Sequence, residues 1–203
     1  MMLSADDQRR IGAAIHAAEA ATSGEIVCVL AHAASDYAEI PLLWSLFLAL
    51  ALPWPLIVFT PWSVQHIYLV QLAVFLLAGL ALTQRRLRLW LVPRSIQRAR
   101  AHAAALEQFE LRHVSHTAAR TGILIFVSLA ERYVRIIADT GIAAKIPQDE
   151  WQGIVDALIG EAKAGRVVDG FIGAVGACGA RLAAHFPAEA DHANQLPDRI
   201  YFI

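Results

Sequence analysis

The chain has 203 residues, a formal net charge of −1 at pH 7 and two cysteines, and 57% of its residues are hydrophobic. A charge near zero, without a basic run that alternates with aromatic residues, argues against a nucleic-acid partner. Cys28 and Cys178 both lie in apolar sequence, which indicates buried free thiols and argues against a disulfide framework. Residues 1–8 lack the apolar core of a secretory signal, so we expect an internal segment to direct membrane insertion.

The first thirty residues predict a helix followed by a strand. Ser4, with Asp6 and Asp7 close behind it, is typical of a helix start. The apolar stripe of this helix consists of Ile11, Ala14, Ile15 and Ala18. After Thr22-Ser23-Gly24, the segment from Glu25 to Leu30 is almost wholly apolar, which predicts a strand covered on both faces.

The segment from Pro41 to Thr83 contains no Asp, Glu, Lys or Arg. Because one bilayer crossing needs about 20 apolar residues, this segment is long enough for two. A turn signal at its middle, Thr60-Pro61-Trp62-Ser63, predicts a membrane hairpin of Pro41–Thr60 and Val64–Thr83. Trp54 lies between two prolines, so we expect a kink in the first helix there.

An arginine cluster follows the hairpin and predicts its orientation. The cluster comprises Arg85, Arg86, Arg88, Arg94, Arg98 and Arg100. The positive-inside rule places this end in the cytoplasm, and two crossings then place residues 1–39 and 84–203 on the same side. We therefore expect a two-pass protein of the cell inner (plasma) membrane with both termini cytoplasmic. The lipid bilayer is the predicted partner, and the arginines can contact anionic headgroups.

The rest of the chain predicts further helices and strands. A helix from Arg94 to His116 leads to a buried strand, Ile123–Val127, and a short polar break at residues 130–132 leads to a second, Tyr133–Ile137. Strands joined so briefly pair as an antiparallel hairpin. The predicted buried stripe of the helix consists of Ile96, Ala99, Ala103, Leu106 and Phe109.

Two helices and a short strand are predicted after Asp139. The first begins near Pro147 and ends at Gly165, and the second begins at Asp169. The second helix has glycine at every third position, which predicts close packing against a neighbour. Its glycines are Gly170, Gly173, Gly176 and Gly179. The tail ends in a candidate short strand, Arg199–Ile203.

These elements predict an α/β fold, a three-layer α/β/α sandwich with a mixed sheet, interrupted by an inserted two-helix transmembrane hairpin. Residues 1–39 supply the first helix and strand, residues 40–83 the hairpin, and residues 84–203 the remainder of the domain. An isolated strand needs a sheet to join, and the predicted sheet lies downstream of the hairpin. We therefore expect the hairpin to interrupt one domain.

The sequence has no strong catalytic motif, such as a phosphate-binding Gly-Lys-Ser/Thr loop or a Gly-x-Ser-x-Gly elbow. Asp139 is the leading candidate for a catalytic group because it ends a buried strand beside Thr140-Gly141. Glu25 and Arg135 are further candidates. The alternative is that Arg135 and Asp139 are solvent-facing or form structural ion pairs. Two further sets of residues are candidate binding groups: Arg120, Arg132 and Arg135 for an anion, and His113 and His116 with Glu110 for a metal.

Several short segments, taken in order, resemble the TPM domain family. They are Thr22-Ser23-Gly24-Glu25-Ile26, Gly122-Ile123-Leu124-Ile125, the run from Arg132 to Asp139 with Gly141, Trp151 with Ile154, and Asp169-Gly170. The family includes thylakoid-lumen proteins involved in photosystem II repair and many bacterial membrane proteins. The resemblance implies a compact α/β/α sandwich. In the common arrangement the domain is exported and a membrane helix follows it, whereas here the hairpin interrupts the domain.

The resemblance also implies two functions of different kinds. Some members of the family have been described as acid phosphatases or as binding a divalent cation, and others serve in membrane-protein assembly. We favour a cytoplasm-facing, non-enzymatic interaction or assembly and maintenance factor, with other membrane proteins as candidate partners. The alternative is a phosphatase-like or metal-dependent hydrolase that uses Asp139, with Glu25 and Arg135. In that case Asp139 and Glu25 are also the candidate ligands of a divalent cation.

Overall fold

The computed structural model describes residues 3–37, 39–82, 84, 89, 91–117, 119–188 and 194–203. The chain divides into two compact units, one formed by Met1–Ala34 and Arg98–Ile203 and the other by Ser35–Gln97, here called unit 1 and unit 2. The predicted end and orientation of the hairpin rest partly on residues outside the described ones, namely Thr83, Arg85, Arg86 and Arg88.

The helices and strands follow one another in a mixed order. They are α1 (Ala5–Glu19), β1 (Glu25–Ala31), α2 (Glu39–Ala51), α3 (Pro53–Phe59), α4 (Val64–Leu82), α5 (Arg94–Leu111), β2 (Gly122–Ser128), β3 (Tyr133–Ala138), α6 (Thr140–Ala143), α7 (Gln152–Lys163), α8 (Val167–His185) and β4 (Ile200–Phe202). Short 3₁₀ helices at Val114–His116 and Gln148–Trp151 precede β2 and α7.

Unit 1 is built on a four-stranded mixed sheet with the order β3-β2-β1-β4. β1 pairs in parallel with both β2 and β4, whereas β2 and β3 are antiparallel. The α/β class, the mixed sheet and the β2–β3 hairpin are therefore as predicted. β1 comes from before the apolar segment and pairs on both sides, so the sheet is assembled from chain on both sides of that segment.

Every residue of β1 and β2 is buried because helices cover both faces of the sheet. On one face, Ile26 and Cys28 belong to a core shared with α1, α7 and α8. On the other face, Val27 and Val29 contact a smaller core that includes Phe109 of α5. Both cysteines are free and buried, and burial raises the pKa of Cys178 to about 12. The expectation of buried free thiols is thus confirmed.

The ends of α1 and α5 show where local sequence signals succeed and fail. Ser4 caps α1 through its hydroxyl, which accepts the Asp7 N–H, and the Asp7 carboxylate accepts the Ser4 N–H in return. By contrast, α5 ends at Leu111, and the prediction that it continues to His116 was wrong. His113 adopts a left-handed backbone with φ of 57°, which breaks the helix.

The buried face of α5 also differs from the predicted stripe. Ile96 and Leu106 are 38% and 45% exposed, whereas Ala101 and Ala105 are fully buried. Of the predicted stripe, Phe109 is the residue that reaches the core. The buried apolar side chains of this helix are thus Ala101, Ala105 and Phe109.

The glycines of α8 fall into two pairs. A Cβ at Gly170 would lie 2.7 Å from a Leu158 methyl group of α7, and a Cβ at Gly179 would lie 2.7 Å from the Ala18 Cβ of α1. Gly173 and Gly176 have no neighbouring atom within 4 Å of such a Cβ. The predicted close packing therefore holds at Gly170 and Gly179 and not at Gly173 and Gly176.

Unit 2 contains α2, α3 and α4, of which α2 and α4 pack against each other. The first apolar helix is interrupted at Leu52, directly before the Pro53-Trp54-Pro55 sequence that predicts a kink. Within the described residues, three helical segments are long and apolar enough to cross a membrane. They are Leu42–Phe59, Val64–Leu82 and Val167–His185, with 11%, 6% and 50% of their residues buried. The third is α8, whose buried face lies in the core of unit 1.

Alanine substitutions at a packed and at an open glycine of α8 are expected to change the free energy of unfolding in opposite directions. Gly179→Ala forces α8 away from α1, so we expect it to lower the free energy of unfolding of unit 1 by about 1–3 kcal/mol. Gly173→Ala adds a methyl group in open space and reduces the freedom of the unfolded chain, so we expect a gain of about 0.5–1 kcal/mol. Urea unfolding of the detergent-solubilised protein measures both. Equal effects of the two substitutions would contradict this description of the α1–α8 contact.

Candidate functional site

The strand directions divide the predicted site residues between two edges of the sheet. The carboxylate edge is where β1 and β2 begin and β3 ends, and it carries Glu25, Gly122 and Asp139 in one row. The junction edge is where β1 and β2 end and β3 begins, at Ala31, Ser128 and Tyr133. Because β3 runs back along β2, the end of β3 lies beside the starts of the other two strands.

Glu25 is buried and holds the C-terminal tail. Its side-chain oxygens accept hydrogen bonds from the backbone N–H groups of Gln195 at 3.0 Å and Leu196 at 3.1 Å. Only 1% of the residue is exposed. Glu25 thus fixes the segment that leads into β4, and the structure shows a structural use for this carboxylate.

Asp139 is also buried, with 4% of its surface exposed, and it caps the short helix α6. Its Oδ1 accepts hydrogen bonds from the Thr140 N–H at 2.6 Å and from the Thr140 hydroxyl at 3.2 Å. Its Oδ2 is buried and has no hydrogen-bond partner among the described residues. The close approach of Gly141 to the Arg120 carbonyl, which a Cβ would approach within 2.6 Å, closes this corner of the fold.

Glu25 and Asp139 share the carboxylate edge but belong to strands that are not neighbours in the sheet. Since β2 lies between them, their backbones are separated by two strand spacings, about 10 Å. Glu25 accepts two backbone N–H groups, whereas Asp139 accepts one through Oδ1 and keeps a buried Oδ2 without a partner in the described residues. The described part of the chain contains no group of three His, Cys, Asp or Glu side chains placed to hold a metal ion. A divalent cation held by these two residues therefore stays a prediction.

Arg135 does not join the two carboxylates. It lies four residues before Asp139 on β3, roughly 13 Å away along the strand. Together with Arg132 and Arg98 it lines a cleft on the outer side of β3. Arg120 precedes β2 at the carboxylate edge, so the three arginines considered for an anion are also separated. The third arginine that lines this cleft is Arg98 of α5.

Glu131 is a buried carboxylate at the junction edge that the sequence interpretation missed. It lies in the turn between β2 and β3 and is 4% exposed. Its carboxylate accepts the Ala34 N–H at 3.1 Å and a short hydrogen bond from the Ser128 hydroxyl. The polar pair Ser128 and Glu131 at the end of an apolar strand was the available signal. This contact holds the residues that follow β1 against the β2–β3 turn.

The histidine pair considered for a metal does not lie on one helix, because α5 ends before it. The rings of His113 and His116 meet edge to face, with centroids 5.2 Å apart. Ser115 donates to the Glu110 carboxylate at 2.9 Å. The local contacts of these residues therefore stabilise the 3₁₀ turn after α5.

Glu19 is the most strongly perturbed acid at the carboxylate edge. Its Oε1 accepts the Ile26 N–H at 2.7 Å, while its Oε2 is buried without a hydrogen-bond partner in the described residues. Burial, with the nearby carboxylates of Glu25 and Asp198, raises the pKa of Glu19 to about 9. Asp198 in turn contacts His16 at 2.9 Å. At neutral pH the Glu19 side chain is therefore neutral while the tail is docked.

This pKa predicts a stability that falls as the pH rises. The carboxyl has an ordinary pKa of 4.5 in the unfolded chain and about 9 in the folded chain, so the folded state holds one more proton between these values. The favourable contribution is therefore complete at low pH and is lost as the pH approaches 9. We expect Glu19→Gln to flatten this dependence and to stabilise the protein at pH 8 relative to wild type, by an amount on the order of a few kcal/mol.

Urea unfolding at pH 5 and pH 8 measures the effect of Glu19→Gln, with the exposed Glu107→Gln of α5 as a charge-matched control. The control is expected to keep the wild-type pH dependence. If Glu19→Gln keeps it too, the protonated carboxyl is not what links pH to stability.

Comparison with known proteins identifies the fold and the family. A family model described as the TPM domain matches residues 80–181, just over half of the 203-residue chain. The NMR structure of BA42 protein from the psychrophilic bacterium Bizionia argentinensis is similar over 100% of this chain and 97% of its own, with a TM-score of 0.62 and 19% identity. At this identity the likeness shows the fold alone. No curated protein matches the chain. From the family match, the chain belongs to the TPM domain family.

Proposed function

We propose that this protein is anchored in the inner (plasma) membrane by its apolar hairpin and presents a TPM domain to the cytoplasm. In this proposal the domain acts without catalysis, as an interaction factor for the assembly or maintenance of other membrane proteins. The observation that carries the proposal is that two consecutive apolar helical segments are inserted into a domain whose sheet needs both flanks.

The exposed surface of unit 2 supports a bilayer anchor. Leu42–Phe59 and Val64–Leu82 have 11% and 6% of their residues buried. Their exposed side chains are large and apolar, for example Phe47, Phe59 and Leu80, which are 62%, 78% and 70% exposed. Such a continuous apolar surface needs a nonpolar surrounding, and a bilayer core supplies one of matching length.

The arginines after the hairpin support a cytoplasmic domain. Arg94, Arg98 and Arg100 lie in the first two turns of α5, and three more arginines precede them in the sequence. Lysine and arginine near the end of a spanning helix favour the cytoplasmic side. Two crossings then place both parts of the domain on that side, which the shared sheet requires in any case.

The use of the two candidate carboxylates supports a role without catalysis. Glu25 and Asp139 are buried, and each accepts backbone hydrogen bonds that maintain local structure. Arg135 lies roughly 13 Å along β3 from Asp139, so this candidate arginine does not meet the two candidate carboxylates. The hydrolase hypothesis remains the alternative, with Asp139 as its central residue.

Reporter fusions test the proposed orientation. A fluorescent protein that folds only in the cytoplasm is expected to be active when fused after Ile203 and inactive when inserted after Trp62, in the turn between α3 and α4. A periplasmic alkaline phosphatase reporter at the same two positions is expected to give the reverse result. A reporter after Ile203 that is active only outside the cytoplasm would overturn the proposed orientation.

The functional half of the proposal is tested by capture and by hydrolysis with the same purified protein. Affinity capture from detergent extracts is expected to recover the same membrane protein in independent preparations, and failure to do so would count against the interaction role. Hydrolysis of a phosphomonoester over a range of pH and divalent metals is expected to be absent. Activity that is lost in Asp139→Asn, at unchanged folding, would instead establish the hydrolase.

A further inference from the structure

A cationic cleft lies on the outer side of β3. It has a volume of about 180 Å³, and its charged lining residues are Arg98 of α5 with Arg132 and Arg135 of the β2–β3 hairpin. No Asp or Glu lines it in the described residues. Trp151 and Gln148 close its other side, and Gln148 donates to the Ile136 carbonyl at 3.1 Å. Three side chains of one charge thus converge from two elements on a space of molecular size.

The three arginines of this cleft lack the carboxylate partners that several other arginines of unit 1 have. Arg10, Arg166 and Arg181 each lie within 2.8 Å of a carboxylate oxygen, in pairs with Asp169, Glu161 and Glu150 respectively. In the described residues Arg98, Arg132 and Arg135 form no ion pair, and the buried Nε of Arg135 has no hydrogen-bond partner. A planar guanidinium with free donors is well suited to a phosphate group.

An apolar groove adjoins the cleft and shares Arg132, Tyr133, Val134 and Ile159 with it. This groove has a volume of about 320 Å³. Its apolar lining includes Val127, Leu129 and Ala162, and Lys163 adds one further positive charge. A ligand with an anionic group at one end and an apolar part at the other is therefore complementary to the two spaces together.

The cleft lies where unit 1 connects to the apolar hairpin. Unit 1 is interrupted after Ala34 and resumes at Arg98. Ala34 donates its N–H to the Glu131 carboxylate, while Arg98 lines the cleft beside Arg132. Both interruption points therefore lie at the β2–β3 turn. From Ala34 to the first spanning segment at Leu42 the chain reaches at most about 28 Å, which restricts how far this turn can lie from a bilayer surface.

We propose that the cleft of Arg98, Arg132 and Arg135 binds the phosphate group of an anionic phospholipid, whose apolar part occupies the adjoining groove. The location at a membrane surface rests on the proposed function, whereas the phosphate and acyl contacts rest on the cleft and groove themselves. The lipid is bound and not cleaved. Such a site orients the domain at the membrane surface through specific contacts, in addition to the hairpin.

Native mass spectrometry of the full chain in detergent tests this proposal by titration with phosphatidylglycerol. The variant Arg98→Gln, Arg132→Gln, Arg135→Gln is expected to bind phosphatidylglycerol at least tenfold more weakly, since each arginine near an anionic headgroup contributes on the order of a fivefold gain in binding. The control variant Arg9→Gln, Arg166→Gln, Arg181→Gln removes the same charge from exposed ion pairs of unit 1. It is expected to stay within about twofold of wild type.

One single-residue variant separates loss of lipid binding from loss of folding, and two further ligands show whether the cleft prefers an anionic lipid. Arg132 has a left-handed backbone with φ of 52°, which asparagine also adopts readily, so Arg132→Asn is expected to weaken binding without disturbing the turn. Zwitterionic phosphatidylcholine is expected to bind more weakly than phosphatidylglycerol, and inorganic phosphate is expected not to displace the lipid at equal concentration.

Three outcomes would overturn the proposed lipid site. Equal loss in the cleft and control variants would indicate general charge attraction, and unchanged binding in the cleft variants would place the lipid elsewhere. Equal binding of inorganic phosphate would leave an anion site without a lipid role. Lipid binding that persists when reporters place the domain outside the cytoplasm would contradict the proposed orientation and leave the cleft intact.

Discussion

The parallel pairing of β1 with β2 is the interaction on which the rest of the structure depends. It joins Glu25–Ala31, from before the apolar segment, to Gly122–Ser128, from after it. Without β1, the strand β4 loses the strand with which it pairs in the described sheet. The helices α1 and α8 then lose part of the core between them. The apolar segment is therefore enclosed between two parts of one folding unit, and the ends of that segment must be close enough for the sheet to form.

The same pairing determines which side chains meet. Because β1 and β2 are parallel and β3 runs back, the buried carboxylates Glu25 and Asp139 lie at one edge, and the β2–β3 turn with Glu131 lies at the other. Backbone N–H groups bind both oxygens of Glu25 and the Oδ1 of Asp139, whereas the arginines beside the turn form no ion pair in the described residues. The cationic binding chemistry thus lies at the junction edge, where the chain leaves and re-enters unit 1.

Sequence patterns predict this fold well where burial is strong and poorly where contacts are distant. The apolar runs of β1 and β2 predict buried strands, and the brief β2–β3 connection leaves only antiparallel pairing. The predicted buried stripe of α5 was wrong because alanine periodicity does not show which face of the helix is buried. The predicted end of α5 was wrong because His113 adopts a left-handed backbone conformation. The grouping of Arg98 with Arg132 and Arg135 depends on tertiary packing between residues far apart in sequence, so no local pattern reveals it.

Hydrogen exchange of the full chain in lipid nanodiscs tests the central claim most directly, because amides in one sheet open together. If β1 is an interior strand, its amides from Ile26 to Leu30 exchange as slowly as those of Ile123–Val127 in β2. The account also predicts that a substitution in β1 that lowers protection there, such as Val29→Asp, lowers it in β2 by a similar factor. Rapid exchange throughout β1 in the wild-type protein, with β2 still protected, would contradict a single sheet built from both sides of the hairpin.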